Sequence, residues 1–263
     1  VRVTEDGERR IVGAVVPHAG YIYSGPVASH VYGALARDGR PQNFVILGPS
    51  HWGHPGFCAM LEGVWRTPLG DVQVDSEVAR LTVEHSQYVD VNPEAHEREH
   101  SIEVQLPFLQ HLYGSGFRIV PLTVGYCDFG MCEDVGRAIA AAAREQGRDV
   151  VVLGSTDFTH YGANYGYAPA GTGPLDKVLK WVHQVDKSLI DLILAMDAEK
   201  LIETVEERRY TMCGAAPVAT MIVAAGGLGA RGAELLKYAT SYDTQGSTDM
   251  IVGYGAMIVK RAP

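Results

Sequence analysis

Three apolar runs in this chain end in the same way. Ile11–Val16 stops at Pro17-His18-Ala19-Gly20-Tyr21, and residues 44–47 stop at Gly48-Pro49-Ser50-His51. Residues 150–153 stop at Gly154 and then release Ser155, Thr156, Asp157, Thr159 and His160. Short apolar runs of this kind read as strands buried on both faces. Open α/β sheets bind ligands just beyond the carboxyl ends of their strands, so His18, His51 and His160 are expected to meet in one crevice. One strand-end histidine is equally well explained by a hydrogen bond to loop backbone. Three of the chain's ten histidines in matching contexts are less easily explained that way, because neutral imidazole is a common metal ligand and general base. Asp157 either orients an imidazole, supports a metal ligand from behind, or caps the loop.

The rest of the chain reads as one α/β domain over residues 1–263, with a mostly parallel or mixed central sheet flanked by helices. Residues 4–10 are charged and read as a frayed or edge segment. A helix is expected to open at Pro26, with Ser24 or Gly25 near its cap, and to end at Asp38-Gly39. Residues 57–74 alternate in short runs punctuated by glycine and proline, which predicts a hairpin excursion. Helices are then expected over 75–84 and 102–112, the second kinked or shortened by Pro107. A strand over 117–124 and a helix over 133–146 follow. Residues 161–173 lack periodicity and read as a long loop of the kind that lines active sites. Helices over 175–196, 198–207 and 215–225 precede last strands at 234–240 and 250–259, joined by a polar loop at 241–248. The helix over 215–225 is apolar nearly all round and should be buried.

Composition narrows the class of partner. The 22 basic and 31 acidic residues give a formal charge of −9, which argues against a nucleic-acid or anionic-membrane surface. No apolar run reaches the ~18 residues of a membrane span, and no basic-then-apolar leader opens the sequence. A chain beginning with Val1 is expected to lack native N-terminal residues. Four cysteines without a C-x-x-C pair argue against a disulfide framework and for a reducing, cytoplasmic setting.

Cys213 stands just before the apolar helix, where the helix N-terminus favours thiolate, the form that binds metal or attacks electrophiles. The alternative is a buried, inert thiol, which is the expectation for Cys58, Cys127 and Cys132. His96-Glu97-Arg98-Glu99-His100 matches H-E-x-x-H, in which a helix places two zinc-binding histidines on one face with Glu97 as base. Pro93 close upstream and the charge all round the segment argue against that zinc-protease reading. His100 is expected instead to face the pocket from the start of the following helix. Neither G-x-G-x-x-G after a strand, nor a P-loop, nor a Gly-x-Ser-x-Gly elbow is present.

Five blocks carry a resemblance: Pro17-His18-Ala19-Gly20-Tyr21 with Tyr23-Ser24-Gly25, residues 47–51, residues 99–108 (EHSIEVQLPF), residues 155–162 (STDFTHYG) and Cys213-Gly214. In this order they resemble the Memo family, called AmmeMemoRadiSam system protein B in microbes. The resemblance implies the fold of class III extradiol dioxygenases, non-heme Fe(II) enzymes that open catechol-type rings. It implies His18, His51 and Cys213 as metal ligands, with the cysteine where the dioxygenases place a carboxylate. His160 would then be the acid/base group, with Asp157 sharing the proton transfers and His100 a pocket-facing catalytic candidate, and Tyr21, Tyr23 and Tyr161 would line a substrate pocket. The implied ion is Fe(II) first, copper as an alternative and Zn as a lesser one. The implied activity is an oxidoreductase acting on a small aromatic substrate. A rival reading keeps the cleft as a binding module for a peptide or protein. The family name also implies radical-SAM and AMMECR1-type proteins as partners.

Overall fold

The computed structural model describes residues 2–4 and 8–262. Its centre is four parallel strands, β1 (Ile11–Val16), β2 (Asn43–Pro49), β7 (Arg118–Val124) and β8 (Val150–Ser155), in the order β1-β8-β2-β7. All of β1, β2 and β8 is buried, as an unbroken apolar run requires. Truncating one of these side chains, Leu153 for instance, would cost about 2–5 kcal/mol. Antiparallel strands extend both sides, making the sheet mixed. β11 (Ile251–Arg261) pairs with β1, and β10 (Ala230–Thr240) pairs with β11. On the other side β3 (Phe57–Ala59) runs antiparallel to β7, with β6 (Val89–Val91) beside it. The hairpin expected over 57–74 is narrower than its range: β4 (Val64–Thr67) and β5 (Gly70–Val74) form it, while β3 joins the main sheet.

The opening helix, α1 (Tyr21–Asp38), starts five residues before the expected Pro26. Proline inside a helix removes the N–H that would bond the carbonyl four residues back. Here that orphan is the Ile22 carbonyl, and the Gln245 amide donates to it at 2.6 Å. α2 (Ser76–Glu84) fills the helix expected over 75–84, with Asp75 as its cap rather than its first residue. The helix expected over 102–112 is shorter: a 3-10 turn at Glu103–Gln105 precedes α3 (Leu106–Tyr113), so Pro107 opens the α-helix rather than ending it. α4 (Phe129–Glu145) begins four residues early because Asp128 caps the Met131 N–H.

β9 (His160–Tyr161) pairs with β11, and so turns the start of the predicted loop into a strand. α5 (Leu175–Leu194), α6 (Ala198–Arg208) and α7 (Ala215–Gly227) follow. α7 is buried among the sheet, α4 and α6, which accounts for its lack of a polar face. The polar loop after β10 contains a short helix, α8 (Ser241–Gln245), closed by a capping box between Thr240 and Asp243. The frayed reading of residues 4–10 fails at Arg9, which is buried between Asp38 (3.1 Å) and Asp149 (2.5 Å). Residues 5–7 of that segment lie outside the described residues.

Candidate metal centre

β8 lies between β1 and β2, so the segments that leave their carboxyl ends emerge side by side. They deliver His18 from β1, His51 from β2 and Asp157 from β8. One ring nitrogen from each of His18, His51 and His100 falls within 4.8 Å of the others. The His51 and His100 rings stack at 4.8 Å, and both lie edge-on to His18 at 5.3 and 5.5 Å.

His18 is almost fully buried, and its tautomer follows from its neighbours. Ser155 Oγ donates its only proton to the Ser101 carbonyl at 2.7 Å and accepts from the Gln105 amide at 3.1 Å. The His18 Nδ1 at 2.9 Å must therefore be the donor, which leaves the Nε2 lone pair free. Burial, reinforced by the neighbouring histidines and opposed by Asp157, lowers the His18 pKa to about 4. The ring is neutral at physiological pH and ready to act as a ligand.

His51 is fixed by a carboxylate. Glu99, 2% exposed, accepts its Nδ1–H at 2.9 Å and its backbone N–H at 2.6 Å, and also accepts the Ser101 N–H at 2.9 Å. Burial raises the Glu99 pKa, but the bonds from the His51 ring, the His51 N–H and the Ser101 N–H outweigh it and bring the value down to about 2. The ionised carboxylate accepts the Nδ1–H, which leaves Nε2 as the nitrogen of His51 free of that bond. Carboxylate-bound imidazole is the usual arrangement behind a metal-ligating histidine. His100 lacks that support: it is half exposed, and its Nδ1 lies 3.5 Å from Glu99.

Cys213 approaches from the His18 side, with Sγ 3.3 Å from His18 Nε2 and 3.3 Å from the Asp157 N–H. Gly214 permits this position, since a Cβ there would overlap the Ser155 carbonyl oxygen. Nitrogen and sulfur bound to one tetrahedral ion at about 2.1 and 2.3 Å lie roughly 3.6 Å apart, so the observed spacing suits a shared ion. The expected thiolate is not the ground state. Burial, then the Asp157 charge, pushes the Cys213 thiol up to about 12, overriding the helix terminus. A cation would have to displace that proton.

Asp157 Oδ1 accepts the His18 N–H at 3.0 Å, and Oδ2 lies 3.9 Å from His18 Nε2. Three imidazoles, with the Asp157 carboxylate and the Cys213 thiol on the His18 side, make a pocket whose chemistry suits a divalent cation, and the group that gathers within 4.8 Å is His18, His51 and His100, without Cys213.

The remaining expected residues fall in different places. His160 does not join the three-histidine group, but it lies close enough to depress the His18 pKa. Its Nδ1 is 3.0 Å from both the Phe158 and Thr211 carbonyls, so Nδ1 carries the proton and Nε2 the lone pair. Tyr165, unremarked in the sequence, stands edge-on to that ring at 5.2 Å. Tyr23 and Asp157 both act electrostatically on Tyr165. Tyr21 donates to the Val104 carbonyl and lines a separate apolar groove of about 400 Å³ with Pro26, Pro107 and Phe108. Tyr161 is buried, donates to the Gly171 carbonyl and packs against Trp181.

The H-E-x-x-H segment is not a continuous helix. Pro93–His96 is a 3-10 turn, and His96 is buried with its Nε2 on the Cys58 carbonyl at 3.2 Å and its ring against Trp65. His100 instead stacks on His51, so the two histidines serve different surroundings. The four cysteines are free, and Cys58, Cys127 and Cys132 are buried. Among the described residues no helix is long and apolar enough to cross a membrane.

An α/β sheet with histidines gathered at the ends of its parallel strands defines the class. The family follows from comparison. A model of the Memo-like protein family matches residues 2–258. The MEMO1 family protein of Pyrococcus abyssi is 45% identical over 261 residues, covering 98% of this chain and 89% of that one. That of Methanopyrus kandleri is 46% identical over 259 residues, covering 98% and 86%. The chain belongs to the Memo family. Among solved structures, an uncharacterised protein of Escherichia coli K12 matches with a TM-score of 0.57 at 15% identity, covering 95% of this chain and 100% of that one. That likeness is one of fold.

Proposed function

We propose that this Memo-family chain is a non-heme metal oxidoreductase acting on a small oxidisable substrate, with catechol-type aromatics the first class to test. The observation that carries the reading is the pair of imidazoles, His18 and His51, each with its Nδ1–H tied down by a buried partner so that Nε2 is the nitrogen left to face an ion. Cys213 is assigned as the third ligand, because its half-buried side chain already places the sulfur 3.3 Å from His18 Nε2. Fe(II) is the favoured ion, copper the alternative and Zn(II) the third choice, since a thiolate beside two imidazoles suits all of them. The bound ion would supply Lewis-acid and one-electron chemistry.

The chain's own groups then divide the remaining work. Ser155 and Glu99 orient the ligands. His160, with its proton on Nδ1, offers Nε2 to accept a proton from substrate. Asp157 holds the His18 backbone and supplies negative charge beside the ligands. Tyr165, edge-on to the His160 ring, is the aromatic side chain assigned to contact an aromatic substrate. His100, half exposed and stacked on His51, faces the approach to the site.

Metal analysis of anaerobically purified wild type beside His18→Ala, Cys213→Ser and His100→Ala tests the assignment. Near-stoichiometric iron or copper lost in the first two and retained in the third is the expected result. It would be followed by an oxygen-uptake screen with catechols. Loss in His100→Ala with retention in Cys213→Ser would transfer the third position to His100. A wild type still metal-free after reconstitution with Fe(II) and Cu(I) overturns the reading.

A further inference from the structure

Beneath the loop that leaves β8 lies a carboxylate for which the proposed site has no use. Asp186, on α5, is 0% exposed. Its Oδ1 accepts the Thr159 N–H at 3.0 Å and the Thr159 hydroxyl at 2.6 Å, and its Oδ2 accepts the Tyr238 hydroxyl at 2.6 Å. Burial pushes the Asp186 pKa up while the Thr159 and Tyr238 donors pull it down, and as a carboxylate that only accepts it satisfies all three donors at once. Space for it comes from Gly253 in β11, where a Cβ would overlap Asp186 Oδ2. Gly253 also clamps the loop, accepting the Phe158 N–H at 2.8 Å and donating to the Thr159 carbonyl at 3.0 Å.

The Thr159 N–H and the Phe158 C=O belong to one peptide group. Its N–H end meets Asp186, and its oxygen lies 3.0 Å from His160 Nδ1. Carboxylate and imidazole are thus joined end to end across one planar, resonance-coupled amide. Giving the N–H to a buried carboxylate polarises the amide and makes its oxygen a stronger acceptor. We propose that Asp186 is a positioning residue that holds His160 in the Nδ1–H tautomer through the Phe158–Thr159 peptide, keeping Nε2 available as the proton acceptor. The logic is that of a triad aspartate fixing its histidine, with a peptide inserted between the two. The inference rests on the reading of His160 as the proton-handling group. The Thr211 carbonyl, also 3.0 Å from Nδ1, is the competing acceptor that an experiment must separate.

Nitrogen-15 NMR of histidine-labelled protein reads the tautomer directly, without turnover. Wild type is expected to show His160 as Nδ1–H, with coupling across the hydrogen bond to the Phe158 carbonyl carbon. In Asp186→Asn a second population protonated at Nε2 should appear, while Tyr238→Phe leaves the tautomer as in wild type. In iron-loaded protein Asp186→Asn should lower kcat by about tenfold or more at unchanged metal content. A purely structural role for Asp186 would lower Tm and leave the tautomer alone, and that result overturns the proposal. Coupling in wild type to the Thr211 carbonyl alone also overturns it, and this measurement decides the question if Asp186→Asn does not fold. Absence of turnover in every loaded form would count against the proposed function and leave the tautomer result standing.

Discussion

His51 and His100 stack ring on ring, yet the chain treats them differently. His51 leaves the end of a buried strand and meets a buried carboxylate that fixes its tautomer, its ring plane and its backbone. His100 sits in an irregular segment with nearly half its side chain in solvent and, among the described residues, only a 3.5 Å approach to Glu99 to hold the ring. His96, four residues earlier, is buried but spends its Nε2 on a backbone carbonyl and leaves Nδ1 without a partner. The difference teaches that spacing along the chain does not make a ligand. A histidine becomes one when a second group holds one nitrogen so that the other is aimed.

The sharpest way to break this comparison is to remove the aimed imidazoles. His51→Ala and His18→Ala should each abolish stoichiometric iron or copper binding, read by metal analysis after anaerobic reconstitution. Either variant keeping a full complement of metal would show that the strand-end pair is not the centre.

Removing the carboxylate and keeping the ring is a finer cut. Glu99→Gln retains shape but no longer accepts three N–H groups as an anion, and it should weaken metal affinity by about 10–100-fold. Competition with a calibrated chelator measures this. If Glu99→Gln matches wild type, tautomer fixing is not what separates His51 from His100.

The same carboxylate gives a pH signature. Its folded pKa of about 2 lies below the ordinary 4.5, so its stabilisation is complete above pH 4.5 and is lost as pH falls towards 2. The shift corresponds to a contribution on the order of 3 kcal/mol. Urea titrations of metal-free protein at stepped pH should show wild type losing stability through that window. Glu99→Gln should start lower and vary less. Parallel curves for the two would remove Glu99 as the source.

Much of this architecture was legible in the sequence, for a physical reason. Residues 11–16, 44–47 and 150–153 are apolar without interruption, and only a strand covered on both faces accommodates such runs, so the sheet centre and the crevice above it could be read directly. Helix starts were less legible. Pro26 marks a helix start only if no distant side chain can satisfy the carbonyl it orphans, and Gln245, more than two hundred residues away, does so. The supports of the site were harder still. Glu99, Ser155 and Gln105 act through hydrogen bonds to residues tens of positions away, and no periodicity records such pairings. The signals available were the blocks 99–108 and 155–162, which hold all three residues without showing what they bond, and the polar Ser101 and Gln105 spaced one helical turn apart beside buried Ile102 and Leu106. The Cys213 thiol misled because the helix N-terminus is visible in sequence, whereas the burial that overrides it is not.

The smallest expected effects on metal fall on the segment whose motif is the most recognisable. His100→Ala removes a half-exposed ring, and contacts of that kind are worth about 0–1 kcal/mol, so affinity should change by less than about fivefold. Glu97→Gln alters an exposed side chain and should change neither metal content nor stability. His96→Ala should leave metal content intact while costing about 1–3 kcal/mol in urea denaturation, because it strips a buried hydrogen bond from the Cys58 carbonyl. Metal loss in His96→Ala and Glu97→Gln together, with His18→Ala unaffected, would reverse the comparison and place the ion in the H-E-x-x-H segment. The geometry argues against that outcome, since His96 Nε2 donates to a carbonyl and its ring is closed in by Trp65.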